Sequence, residues 1–171
     1  MKWLLIVVVT LAAIILAVTL TGMVLPQSHV AQRSTHLSAA PEKIWSIITD
    51  VSNYPGWRSE VSSIEMLPSH DGHVAWREVS GKDNKLAFEA TTSDEPSHLV
   101  TVITDKGIPF GGSWDYRIVP DGSGSRITIT ENGEVYNPVF RFVSKYVMGH
   151  TATIDKYLTS LATKVGDTYA P

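Results

Sequence analysis

The chain has 171 residues, with 14 Lys and Arg against 17 Asp and Glu, six His and no Cys. Its formal net charge is −3 and its basic residues are scattered singly, so it lacks the clustered cationic footprint that nucleic acid requires. The absence of cysteine excludes disulfides, thiolate metal sites and thiol nucleophiles together.

Trp3 to Leu25 is an unbroken run of uncharged, mostly apolar residues. As a helix rising about 1.5 Å per residue it spans roughly 34 Å, enough for a hydrocarbon core of about 30 Å. A cleaved signal peptide is the rival reading. Its apolar stretch is usually about 7 to 15 residues and ends at small residues, whereas this run is longer and leaves through Thr21-Gly22-Met23-Val24-Leu25-Pro26. A lipoprotein anchor needs a cysteine, which the chain lacks. Lys2 on the short side favours the N-terminus inside and the following domain on the extracytoplasmic side. The expected organisation is a transmembrane signal-anchor over 1–26, a short linker over 27–32 and one domain over 33–167. Beyond residue 26 there are 13 basic and 17 acidic residues, a formal charge of −4 on a part of the chain large enough for one core.

Val30 to Leu37 reads as a first strand. Ala40-Pro41-Glu42-Lys43 then opens a helix: proline in the first turn forfeits no hydrogen bond, and Glu42 suits the helix dipole. Ile44, Trp45, Ile47 and Ile48 give that helix a buried side, and Asp50 to Trp57 is turn chemistry. From Val61 onward, short extended runs alternate with Gly, Pro, Asp and Asn. The pattern predicts strands near 61–67, 73–80, 85–93, 98–105, 112–120 and 125–135, joined as a meander, with a turn at Gly81–Asn84 among the connections. Asn137-Pro138 predicts a capped start to a long final helix over about 138–165. Val139, Phe142, Val143, Tyr146, Val147, Ile154, Tyr157, Leu158, Leu161 and Val165 fall on one side of it. The fold class is therefore α+β, with the long helix burying its stripe on the concave face of a curved antiparallel sheet.

The segments Ala40-Pro41-Glu42-Lys43-Ile44-Trp45 and Asp50-Val51-Ser52-Asn53-Tyr54-Pro55-Gly56-Trp57 resemble the opening of the START-related helix-grip superfamily. The likeness is to its polyketide cyclase/dehydrase and lipid-transport branch. Pro109-Phe110-Gly111-Gly112-Ser113-Trp114, Thr130-Glu131-Asn132-Gly133-Glu134 and Tyr136-Asn137-Pro138 extend the resemblance, which covers about residues 30–165 in the right order. It implies a helix-grip sheet of about seven strands around the C-terminal helix, with a mainly apolar cavity between them.

Polar residues that alternation turns inward are the site candidates. Glu131 shares a strand face with Ile127 and Ile129, opposite Arg126, Thr128 and Thr130. A carboxylate there must be paired, hydrogen-bonded or protonated, and it is either a polar anchor or proton-transfer group, or a strand-end residue displaced by a bulge near Asn132-Gly133. His150 follows Gly149 near the middle of the apolar stripe and is either a ligand contact or a core histidine bonded to backbone or water. Trp76 and Glu78 share one face of their strand, placing Glu78 near the cavity and Arg77 in solvent, against the alternative of surface pairs for both charges. Trp114, Tyr116, Phe88, Tyr146 and Tyr157 would supply walls, and Arg141 falls opposite the stripe, away from Glu131. The histidines show no metal-ligand spacing, no serine lies in a nucleophile elbow, no cofactor is indicated, and a protein partner is left open.

Three functions remain open at this point. One is a membrane-anchored binding domain for a lipid or other apolar small molecule, contacted by Glu131, His150, Trp76, Glu78, Phe88, Trp114, Tyr116 and Tyr146. The second is a cyclase/dehydratase-type enzyme with Glu131 moving protons. The third is a protein-interaction module with an exposed apolar patch.

Overall fold

The computed structural model describes residues 1–82 and 84–171, with His70 in its backbone alone; Asp83, inside the turn expected at Gly81–Asn84, lies outside the described residues. Helix α1 (Lys2–Val24) is long and apolar enough to cross a membrane and is exposed along most of its length. Its threonines place no unsatisfied polar group on that surface. Thr10, Thr19 and Thr21 donate to the carbonyls of Ile6, Ile15 and Ala17 one turn back.

Seven strands follow in one antiparallel sheet ordered β1-β7-β6-β5-β4-β3-β2. They are β1 (Ser28–Leu37), β2 (Ser63–His70), β3 (His73–Ser80), β4 (Asn84–Asp94), β5 (His98–Ile103), β6 (Phe110–Asp121) and β7 (Gly124–Val135). Strands β2 to β7 form the expected meander, and β1 closes the far edge by pairing with β7 from Ser28↔Glu134 to Leu37↔Ser125. The first strand begins at Ser28 rather than Val30, so all but Gln27 of the segment expected as linker is paired in the sheet.

Between β1 and β2, helix α2 (Pro41–Thr49) starts at its proline and buries Ile44, Trp45, Ile47 and Ile48. A 3₁₀ segment over Val51–Gly56 then carries Tyr54 inward, where its hydroxyl donates to the Ile48 carbonyl at 2.7 Å. The core joins α2 to the concave face of the sheet and to the C-terminal helix through Ile118, Ile127, Ile129, Ile154, Leu158 and Leu161. Burial of each such side chain contributes roughly 1.5–3 kcal/mol.

The final helix departs from expectation. It is three pieces: α3 (Pro138–Val143), a π-helical turn over Ser144–Met148, and α4 (Ala152–Val165). Asn137 caps α3 by accepting from the amides of Val139 and Phe140, as its sequence indicated. The break falls at Gly149, whose φ of +75° and ψ of 151° lie outside any helix. Only α4 buries the predicted stripe. The residues before the break turn outward, with Tyr146 57%, Met148 65% and Val147 72% exposed. Over 139–147 no residue of that face is fully buried: Val143 lines the cavity beside the sheet, while Tyr146 and Val147 face outward.

α1 is not isolated from this fold. Gly22, at its C-terminal end, is buried against α3, and a Cβ at that position would collide with the Pro138 carbonyl. Arg141 donates from Nη1 to the carbonyls of Gly22 (3.4 Å) and Leu25 (3.3 Å), and from Nε to that of Val135 (2.7 Å). One guanidinium thus ties the helix exit to the end of β7.

Candidate ligand cavity

The helix break opens a cavity of about 420 Å³ between the sheet and the α3–π segment. Its walls come from β4 (Leu86, Phe88), β5 (Ile103), β6 (Trp114) and the broken helix (Phe140, Val143). A void this size surrounded mainly by carbon suits an apolar molecule better than a hydrated one.

Glu134, Ser144 and Thr153 are among its polar lining, and Glu131 forms a connected group there with His29 and Trp114. β7 runs through Asn132 and Gly133 without a shift of register against β1 or β6, so alternation holds and Glu131 stays on the concave side. Glu131 is the cross-strand neighbour of Trp114, whose Nε1 donates to Oε2 at 2.9 Å. His29 Nε2 lies 3.2 Å from Glu131 Oε1. Gly133 makes that pairing possible, because a Cβ there would run into the His29 ring and come within 3.0 Å of Glu131 Oε1. The carboxylate therefore meets two ring N–H groups at the cavity wall, an arrangement that can hold a charge or exchange a proton.

His150 lies beside this group, outside the lining of the apolar cavity. Its ring stacks on His29 with centroids 3.9 Å apart, and Nδ1 lies 3.1 Å from Ser144 Oγ. Burial, then the nearby His29 and Lys145, hold its pKa below the ordinary histidine value, with Glu131 pulling the other way. His150 is thus held towards its neutral form.

The remaining sequence candidates divide by depth. Phe88 and Trp114 line the cavity. Trp76 and Tyr116 are buried in packed clusters away from it, Trp76 stacked on Phe88 at 5.7 Å and Tyr116 within 5.7 Å of the Tyr157 ring. Tyr146 sits outside on the π turn, against Phe142. Glu78 is buried, but in an ion pair: Arg58 Nη1 donates to its Oε1 at 2.8 Å, with Trp76 Nε1 at 3.4 Å from the same oxygen. Arg77 pairs on the surface with Glu65 at 3.4 Å. Arg58 also lies over the rings of Tyr54 (4.9 Å) and Tyr157 (5.2 Å). Burial opposes its charge, yet Glu78 beside it holds the guanidinium above its ordinary pKa. Burial pushes the phenols of Tyr54, Tyr116 and Tyr157 upward, so none of these hydroxyls ionises near neutrality.

Two side chains that partner the candidate carboxylates, His29 with Glu131 and Arg58 with Glu78, escaped sequence reasoning. His29 alternates with the buried Ala31 and Leu37, a signal that extending the strand by two residues would have exposed. The apolar but 71% exposed Val30 concealed it. Arg58 lies in a turn without periodicity and carries no local signal. Among the described residues no group of His, Asp and Glu side chains is arranged to hold a metal ion.

No curated protein sequence matches the chain. Among solved structures it is similar to a START superfamily protein from Mycobacterium smegmatis, at 19% identity and a TM-score of 0.66 over 81% of this chain and 97% of that one. It is also similar to the Zhui aromatase/cyclase of a Streptomyces species, at 11% identity and a TM-score of 0.65 over 81% and 94%. A norcoclaurine synthase point mutant of Thalictrum, in complex with a transition-state analogue, gives 12% identity and a TM-score of 0.62 over 81% and 94%. At these identities the likeness establishes the helix-grip fold. Residues 28–166 match the polyketide cyclase / dehydrase and lipid transport family over most of the chain, and the protein belongs to it.

Proposed function

We propose that the protein is a membrane-anchored binding domain that holds a lipid or other apolar small molecule in the cavity between the sheet and the broken C-terminal helix. The observation that carries this reading is the 420 Å³ cavity with mainly carbon walls, with Glu131, His29 and Trp114 grouped at one side and Glu134, Ser144 and Thr153 as its other polar lining. That pattern orients a ligand by one polar end and buries the rest. Helix α1 supports the anchoring half of the proposal by its length, composition and internally satisfied threonines, with the domain on the extracytoplasmic side. The test is mass spectrometry of lipids co-purified with the full chain in a nonionic detergent, beside a Val143→Trp variant that fills the cavity. Stoichiometric lipid with the parent and none with the variant is expected; equal recovery from both overturns the reading. Alkaline carbonate extraction of membranes tests the anchor, and release of the full chain would refute it.

The His29–Glu131 pair favours one second reading, proton transfer on a cyclic or polyketide-like substrate in the same cavity. The aromatase/cyclase among its structural relatives is in keeping with it. In that case Glu131→Gln abolishes turnover while ligand binding survives.

A further inference from the structure

A second pocket, of about 230 Å³, lies where α1 leaves the fold, lined by Pro26, Ser28, His29, Arg141, Lys145 and His150 among others. His29 and Val135 belong to the walls of both this pocket and the apolar cavity, so the two adjoin. The charged residues in their linings differ in sign: Glu131 and Glu134 line the cavity, Arg141 and Lys145 the small pocket. No acidic residue lines the small pocket, and among the described residues neither Arg141 nor Lys145 forms an ion pair. Arg141 is held by neutral carbonyls alone, which fix its position and leave its charge uncompensated. In a part of the chain carrying a formal −4, two cations outside any ion pair at one point, Lys145 over the Tyr146 ring at 5.6 Å, are a local reversal of sign. The pKa of His150 is lowered first by burial and then by His29 and Lys145, with Glu131 opposing.

The position is as specific as the charge. The Gly22 and Leu25 carbonyls that hold Arg141 end the 23-residue apolar helix, so the pocket sits at headgroup level if that helix spans a bilayer. Phe140 and Met148, exposed on the broken helix, line the adjoining cavity.

We infer that this pocket binds the anionic head, phosphate or carboxylate, of a membrane amphiphile whose hydrocarbon chain enters the adjoining cavity. The inference rests on the apolar-cavity and anchoring reading above and adds the charge and polarity of the ligand. Glu131 limits where the head can sit. Its carboxylate accepts from His29 and Trp114 on the cavity side, so the anion takes the Arg141–Lys145 side of the His29 ring. A charge-assisted contact of this kind discriminates by tenfold or more.

The test is native mass spectrometry of the full chain in nonionic detergent, titrated with palmitoyl lysophosphatidic acid, with monopalmitoylglycerol as the uncharged analogue and with inorganic phosphate. The phosphorylated lipid is expected to bind at least about tenfold more tightly than the neutral one. Lys145→Glu, at an exposed position, removes that preference, Lys145→Arg retains it, and Val143→Trp abolishes binding of both lipids. Equal affinity for the two lipids, unmoved by Lys145→Glu, overturns the inference and leaves the apolar-cavity reading standing. Binding of neither lipid overturns both. Inorganic phosphate that displaces the charged lipid at comparable concentration marks a free-anion site and overturns the amphiphile assignment.

Discussion

Trp114 and Glu131 are opposite one another on β6 and β7, and the indole Nε1 donates to Glu131 Oε2 at 2.9 Å while His29 approaches the other oxygen at 3.2 Å. The carboxylate is therefore the shared acceptor of two part-buried rings. Replacing it by Leu removes both acceptors at once. An orphaned donor costs about 1–3 kcal/mol when fully buried, and the partial exposure of this pair puts Glu131→Leu near the low end, about 1–2 kcal/mol. Glu131→Gln keeps an acceptor for one ring and is expected to lose less. Chemical denaturation of the full chain in detergent measures both; equal losses for Gln and Leu would show that the bonds contribute nothing and that only side-chain volume matters.

The Arg58–Glu78 pair makes a different kind of demand. Both side chains are nearly buried, 13% and 10% exposed, and are 2.8 Å apart. Removing one partner leaves an unpaired charge in the interior, which typically costs about 3–5 kcal/mol. Arg58 retains Glu60 at 2.9 Å, so Glu78→Leu is expected to cost about 3 kcal/mol. Arg58→Met together with Glu78→Leu is expected to recover most of that loss. A double-mutant cycle on unfolding free energies decides it, and additive losses would show that the two charges are not coupled.

These two sites differ in how far they could be read from the chain. Glu131 was legible because Ile127 and Ile129 fix the inward face of its strand and no bulge intervenes before Val135. The fold was legible for the same reason: period-two strands, a proline-opened α2 and an Asn137 cap are local features. Arg58 and the role of Glu78 were not, because an inward carboxylate does not announce which turn will deliver its cation. The break at Gly149 was hidden by an apolar pattern that continues across it. The cavity follows from that break, so its walls were only half predictable; Tyr146 keeps helical spacing and faces outward.

Gly149 is accordingly a position where backbone, not side chain, shapes the cavity. Its φ of +75° with ψ of 151° is a conformation that residues with a Cβ rarely adopt. A Cβ added at this position would meet no atom within 4 Å, so the cost of Gly149→Ala is conformational rather than steric. The expected loss is about 1–3 kcal/mol, accompanied by faster amide hydrogen exchange across residues 144–151. Unchanged exchange and stability would mean that the break tolerates ordinary backbone and is not set by glycine.

His150 supplies a pH dependence with a definite sign. Burial, the stacked His29 and Lys145 lower its folded pKa from the ordinary 6.5, while Glu131 raises it and Ser144 contacts Nδ1. The unfolded chain therefore takes up the proton first as pH falls, and the folded state loses stability as pH drops below about 6.5. Above that value both states are neutral at this residue and the effect vanishes. Melting temperatures at pH 7.5 and 5.5 test this: the parent should lose more on acidification than His150→Gln. Lys145→Glu should shrink the loss as well, since it replaces a cation that opposes protonation with an anion that favours it. An identical acid response in parent and His150→Gln would place the titration on other groups.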